Sequence, residues 1–88
     1  MNEQRILEEL TALLEANGVT IRTEPLGGGG GGLCTIKDES IFFVDTQASS
    51  AEVSALAAEA IVKLIDTESI YIKPEVRRII DKYAKHIS

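Results

Sequence analysis

Six consecutive glycines, residues 27–32, are the most unusual chemical feature of this 88-residue sequence. Backbone N–H groups without side chains can form a concave anion site. The candidate ligand-binding residues are Gly28, Gly29, Gly30 and Gly31. A phosphate-binding loop of the GxxxxGK[ST] type needs a lysine and a hydroxyl residue after the last glycine, where this chain has Leu33 and Cys34. The run therefore indicates either a small-anion site or a flexible connection that binds nothing.

Nucleophilic and metal chemistry have few candidate residues. A catalytic cysteine needs a nearby histidine and an electropositive setting. The single cysteine is Cys34, and the single histidine is His86, two residues from the last. We interpret Cys34 as a small strand residue. A structural zinc site usually takes four Cys or His ligands, so the sequence predicts no metal and no cofactor.

Three carboxylates, Glu52, Glu59 and Asp66, recur every seven residues on one face of a predicted helix. At 1.5 Å per residue they spread over about 20 Å, too far for one metal ion or for an acid/base pair. We therefore expect a solvated helix face and no enzyme. The alternative is a minor enzyme that holds a small anion under the glycines, with Cys34 or Glu59 acting on it.

Length and composition predict one domain, residues 1–88, of an ordinary globular kind: 44% of residues are apolar and 26% are charged. No apolar run is long enough for a membrane span. The first residues lack the pattern of a secretory signal, so the expected location is cytoplasmic. Net charge is −5, with four Lys/Arg against twelve Asp/Glu in residues 1–72 and five against two in residues 73–88. The acidic part makes nucleic acid an unlikely partner.

Hydrophobic periodicity places these residues on an α+β fold. Helical spacing of leucines predicts a helix over residues 3–17, and alternation predicts strands over 19–25, 33–37 and 40–45. Ser49 and Glu52 form a capping box that opens a second helix, and a third is expected over 74–86. We predict a helix, a three-stranded antiparallel meander and two more helices. The glycines would then close a hairpin between the first two strands.

Two resemblances accompany this pattern. The order helix, strand, hairpin, helix over residues 19–65 resembles the N-terminal part of small zinc peptidases that cleave phage-type repressors. Their HExxH motif would fall on Ala58-Glu59-Ala60-Ile61-Val62, which keeps the glutamate and lacks both histidines. The resemblance implies a scaffold without metal or hydrolysis. The glycine run followed by Leu-Cys is similar to small uncharacterised bacterial proteins, which implies no activity.

The third predicted strand is apolar on both faces, which is typical of a strand covered on both sides. Phe42 and Val44 would point to one face and Ile41 and Phe43 to the other. A small sheet offers the helices only one face to cover fully, although the last helix crossing the other face is an alternative. We therefore predict a non-enzymatic protein-interaction module that forms a homodimer through Ile41 and Phe43. Any further protein partner is unknown.

Overall fold

The computed structural model describes residues 2–29 and 31–84. The elements in chain order are α1 (Glu3–Ala16), β1 (Thr20–Glu24), β2 (Gly31–Ile36), β3 (Glu39–Asp45), α2 (Ser50–Leu64) and α3 (Pro74–Ala84). The α+β class and the order of elements are confirmed. The predicted last two positions of the third helix, 85 and 86, lie outside the described residues.

Local signals explain where the first two helices begin and where the first one ends. The Asn2 side chain accepts a hydrogen bond from the Arg5 N–H, and Ser49 Oγ accepts one from the Glu52 N–H at 3.1 Å. These bonds satisfy N–H groups that have no partner within the helix. After α1, Gly18 adopts a φ of 89° and the Val19 N–H returns to the Leu14 carbonyl. Among the described residues, no helix is long and apolar enough to cross a membrane.

The sheet is mixed, so the predicted antiparallel meander is wrong. Its strand order is β1-β3-β2, with β1 parallel to β3 and β2 antiparallel to β3. The physical reason lies in the side chains. The strand with apolar residues on both faces, β3, takes the central place, where both flanks are paired, and β1, which has a polar face, takes an edge.

The glycine run is consequently not the loop of a β1–β2 hairpin. The chain leaves β1, passes the end of β3 and enters β2 on the far side, a span of about 10 Å at the usual strand spacing. We call residues 25–29 the crossover segment. The tight hairpin lies instead between β2 and β3, where Lys37 and Asp38 take φ values of 49° and 68°. Positive φ at both turn positions is typical of a type I′ turn.

All three helices contribute to one core on a single side of the sheet. Phe42 is fully buried there, and Ile21, Leu33 and Val44 are partly buried against the core. The buried helix side chains in this core are Leu7, Leu10, Leu14, Val53, Ala57, Ala60, Ile61, Val76 and Ile80. Within the described part of the chain, α3 packs on α1 and α2 and touches no strand. The alternative that α3 crosses the other sheet face therefore does not hold for residues 74–84.

Candidate interaction surface

Asp45, the last residue of β3, anchors the crossover segment. Its side chain is 1% exposed, and Oδ1 accepts hydrogen bonds from the N–H groups of Leu26 and Gln47, both at 2.9 Å. The Thr46 N–H also donates to the Glu24 carbonyl at 3.1 Å, which extends the β1–β3 pairing by one step. A buried carboxylate is stable only when donors surround it. Asp45 therefore fixes where the chain crosses the central strand.

Two backbone donors at the start of the crossover segment already have acceptors within the chain. The Gly27 N–H donates to Gln47 Oε1 at 2.6 Å, and the Asp45 carboxylate accepts the neighbouring Leu26 N–H. An anion bound to these two N–H groups would have to displace both acceptors, and the predicted small-anion site stays a prediction. Gly28 and Gly29 lie in this segment, and Gly30 lies outside the described residues.

Gly31 is a strand residue, not a loop residue. It pairs with Val44 in the β2–β3 ladder at a φ of 78°. A Cβ at this position would overlap the carbonyl oxygen of Phe43. Because β2 enters the sheet in a left-handed conformation against a neighbouring backbone, only glycine fits. Gly31 is therefore needed for packing.

The structure does not bring the proposed enzyme residues together. Cys34 is exposed and pairs with Ile41 on the sheet face opposite the core, whereas Glu59 lies on α2, on the core side. The described residues contain no group of three or more His, Cys, Asp or Glu that could hold a metal ion; His86 falls outside them. Ser54 is a buried hydroxyl that the sequence did not single out, and at 3% exposure it is closed to substrates.

Ile41 and Phe43 lie on the sheet face opposite Phe42. Neither belongs to the core that the three helices share, although Ile41 is 9% exposed and Phe43 is half-buried. We call this side the open face. Its residues are Thr20, Arg22 and Glu24 of β1, Glu39, Ile41, Phe43 and Asp45 of β3, and Gly32, Cys34 and Ile36 of β2. The predicted division of β3 between two faces is confirmed.

Polar groups surround the apolar centre of the open face. The Arg22 guanidinium lies 5.9 Å from the centre of the Phe43 ring and 2.8 Å from the Glu24 carboxylate. On the opposite side of Phe43, Gly32 presents no side chain, and a Cβ there would meet nothing within 4 Å. The face thus has an aromatic centre, a charged flank and an empty flank.

The basic last helix is partly engaged within the chain. Arg77 donates to the Thr67 carbonyl at 2.8 Å, and Lys73, directly before α3, donates to Glu9 Oε1 at 2.8 Å. The hydrogen bond from Lys73 lowers the pKa of the Glu9 carboxyl, and Arg5, 3.7 Å away, adds to this effect. These contacts support a structural role for part of the basic cluster.

The residue that sequence reasoning missed is Asp45. A carboxylate directly after four apolar strand residues was the available signal, because a charge at the end of a buried strand must find donors nearby. Its partners became identifiable only with the parallel β1–β3 pairing.

Comparison of the chain with protein-family models, with curated proteins and with solved structures finds no match. The resemblances to zinc peptidases and to bacterial glycine-run proteins stay predictions.

Proposed function

We propose that this chain is a non-enzymatic protein-interaction module and that its open face binds a second copy of itself. The observation that carries the proposal is the position of Ile41 and Phe43 outside the core, on a sheet face that none of the described helices contributes to covering. A central strand that is apolar on this side gains free energy when another surface excludes water from it.

A second copy suits the open face in shape and charge. A two-fold axis parallel to β3 would set Phe43 against its own counterpart, with the Arg22 side of one copy over the Gly32 side of the other. The large charged side chain would then enter the space beside a glycine. Such self-complementarity is what a two-fold interface requires. The Arg22–Glu24 pair would remain at the rim, where water still reaches it.

The small size of the open face predicts weak association. Three neighbouring strands, each with about five residues on the sheet, cover roughly 250 Å² of sheet area. A standard protein–protein interface buries about 800 Å² on each partner. Ile41 is already nearly buried, so Phe43 supplies most of the apolar side-chain surface that association would newly cover. We expect a dimer that forms in the high micromolar range.

Sedimentation equilibrium of the wild type and of Phe43→Glu tests the proposal. The wild type should self-associate with rising concentration, and Phe43→Glu should associate less than the wild type at every concentration, with its circular dichroism unchanged. The matched control is Tyr71→Glu, because Tyr71 is an aromatic residue that is 83% exposed and lies outside the sheet. This variant should dimerise like the wild type. A wild type that is monomeric at about 1 mM, or a folded Phe43→Glu variant that associates as strongly as the wild type, would refute the proposal.

A further inference from the structure

The two edges of the sheet are protected to very different degrees. β1 carries Arg22 and Glu24 and is followed by Pro25. β2, with the sequence GGLCTI, contains neither a charged residue nor a proline. Exposed edges are normally blunted by charges, proline or bulges, because unpaired backbone groups recruit other strands. An unprotected edge is therefore expected to pair.

The turn geometry identifies which backbone groups of β2 point outward. The two-residue turn makes Ile36 and Glu39 a hydrogen-bonded pair, and bonded pairs alternate along an antiparallel ladder. Cys34 thus directs its N–H and C=O groups toward Ile41 of β3. Leu33 and Thr35 direct theirs to the outer edge, where the described residues provide no further strand.

A groove of about 240 Å³ borders this edge, between β2 and the flank of α2. Gly31, Gly32 and Leu33 form one wall, and the other wall includes Glu59 and Lys63, one helical turn apart. A two-fold axis perpendicular to β2 would set two copies of α2 antiparallel across the seam. The order Glu59 then Lys63 along one helix would therefore run beside the reverse order along the other, an arrangement that favours pairing of opposite charges.

We propose that β2 pairs antiparallel with β2 of a second copy, with Cys34 opposite its own counterpart. In this register Leu33 of each copy lies opposite Thr35 of the other, so their outward N–H and C=O groups bond to each other. Ile36, which is 49% exposed, lies opposite Gly32 of the other copy. Its side chain would be partly buried there, because glycine leaves the space beside it empty. If Leu33 instead of Cys34 lay opposite its own counterpart, Ile36 would lie beyond the paired residues.

This edge interface depends on the outward backbone groups of Leu33 and Thr35, whereas the open-face interface depends on the side chains of Ile41 and Phe43. Two three-stranded sheets joined at β2 form a continuous six-stranded sheet. The joined sheet presents twice the open-face area of one copy. The edge pairing would therefore supply the area that a single open face lacks.

Disulfide trapping at Cys34 distinguishes the two interfaces. Opposite residues in a non-hydrogen-bonded antiparallel pair have Cα atoms about 4.5 Å apart, within disulfide range. Sheets packed face to face are about 10 Å apart, beyond that range. The oxidant diamide accepts the hydrogens of the two thiols as one S–S bond forms. Non-reducing electrophoresis then measures the amount of covalent dimer over time.

The matched control moves the cysteine to another exposed position, in the double variant Cys34→Ser/Thr46→Cys. We expect Cys34 to cross-link about ten-fold faster or more than this control, because pairing raises the effective thiol concentration. Phe43→Glu should keep the fast cross-linking, since that residue belongs to the open face. Equal rates for Cys34 and the control would overturn the proposal, whatever the result for the open face.

Thr35→Pro tests the edge bonds directly. Proline removes an N–H that points outward and is tolerated on an edge strand. The variant should cross-link through Cys34 at the slow rate of the control. Fast cross-linking by a folded Thr35→Pro protein would overturn the register. If this variant does not fold, the comparison of Cys34 with the relocated cysteine decides the proposal alone.

Discussion

Replacing Asp45 tests the central structural claim, that one buried carboxylate holds the crossover segment. In Asp45→Ala the N–H groups of Leu26 and Gln47, both partly buried, lose their 2.9 Å acceptor. Hydrogen bonds to a charged group contribute about 1.5–3 kcal/mol each, and the two share one oxygen, so we expect a combined loss of about 3–4 kcal/mol. A chain of this length has about 4–13 kcal/mol in total. The substitution should therefore remove a large share of the stability.

Urea unfolding followed by circular dichroism measures this loss, and thermal unfolding should show a fall in Tm of roughly 15–25 °C. Asp45→Asn keeps one acceptor oxygen and should lose less, about 1–2 kcal/mol. Asp81→Ala, which removes an exposed carboxylate from α3, should stay within about 0.5 kcal/mol of the wild type. If Asp45→Ala is as stable as Asp81→Ala, the carboxylate does not hold the crossover. If Asp45→Asn loses as much stability as Asp45→Ala, the acceptor oxygen is not what stabilises the crossover segment.

Two further predictions concern the glycines and the Glu9 ion pair. Gly31→Ala should destabilise the protein by more than about 1 kcal/mol, because its Cβ overlaps the Phe43 carbonyl oxygen at positive φ. Gly29→Ala should be neutral or slightly stabilising, because its Cβ would make only an ordinary contact of 3.9 Å with the Leu26 carbonyl oxygen. Equal urea midpoints for the two variants would contradict this prediction. The lowered pKa of Glu9 means that its contribution to stability is present above the ordinary carboxyl pKa and is lost as pH falls through the lowered folded value. The Tm difference between the wild type and Lys73→Met should accordingly shrink toward zero in acid. NMR titration of the carboxyl groups should show a higher Glu9 pKa in the variant than in the wild type. An unchanged Glu9 pKa would show that Lys73 does not cause the shift.

The sequence by itself determined the helices and the faces of the strands. The leucine spacing of α1 and the Ser49–Glu52 box report local geometry that short stretches of chain decide on their own. The alternation of Phe42 and Val44 with Ile41 and Phe43 likewise determined two faces of β3, because side chains alternate along any strand. For the same reason the open face could be expected before the structure.

Only the tertiary structure decided which strands are neighbours. A meander and a crossover place the same residues on the same faces, so periodicity cannot distinguish them. The difference depends on the hydrogen bond to Asp45 from the N–H of Leu26, which follows β1, and on Gly31, whose missing Cβ lets β2 approach the Phe43 backbone. Both contacts join residues distant in sequence. That is why the six glycines were interpreted as a hairpin loop, although their last two residues belong to the sheet.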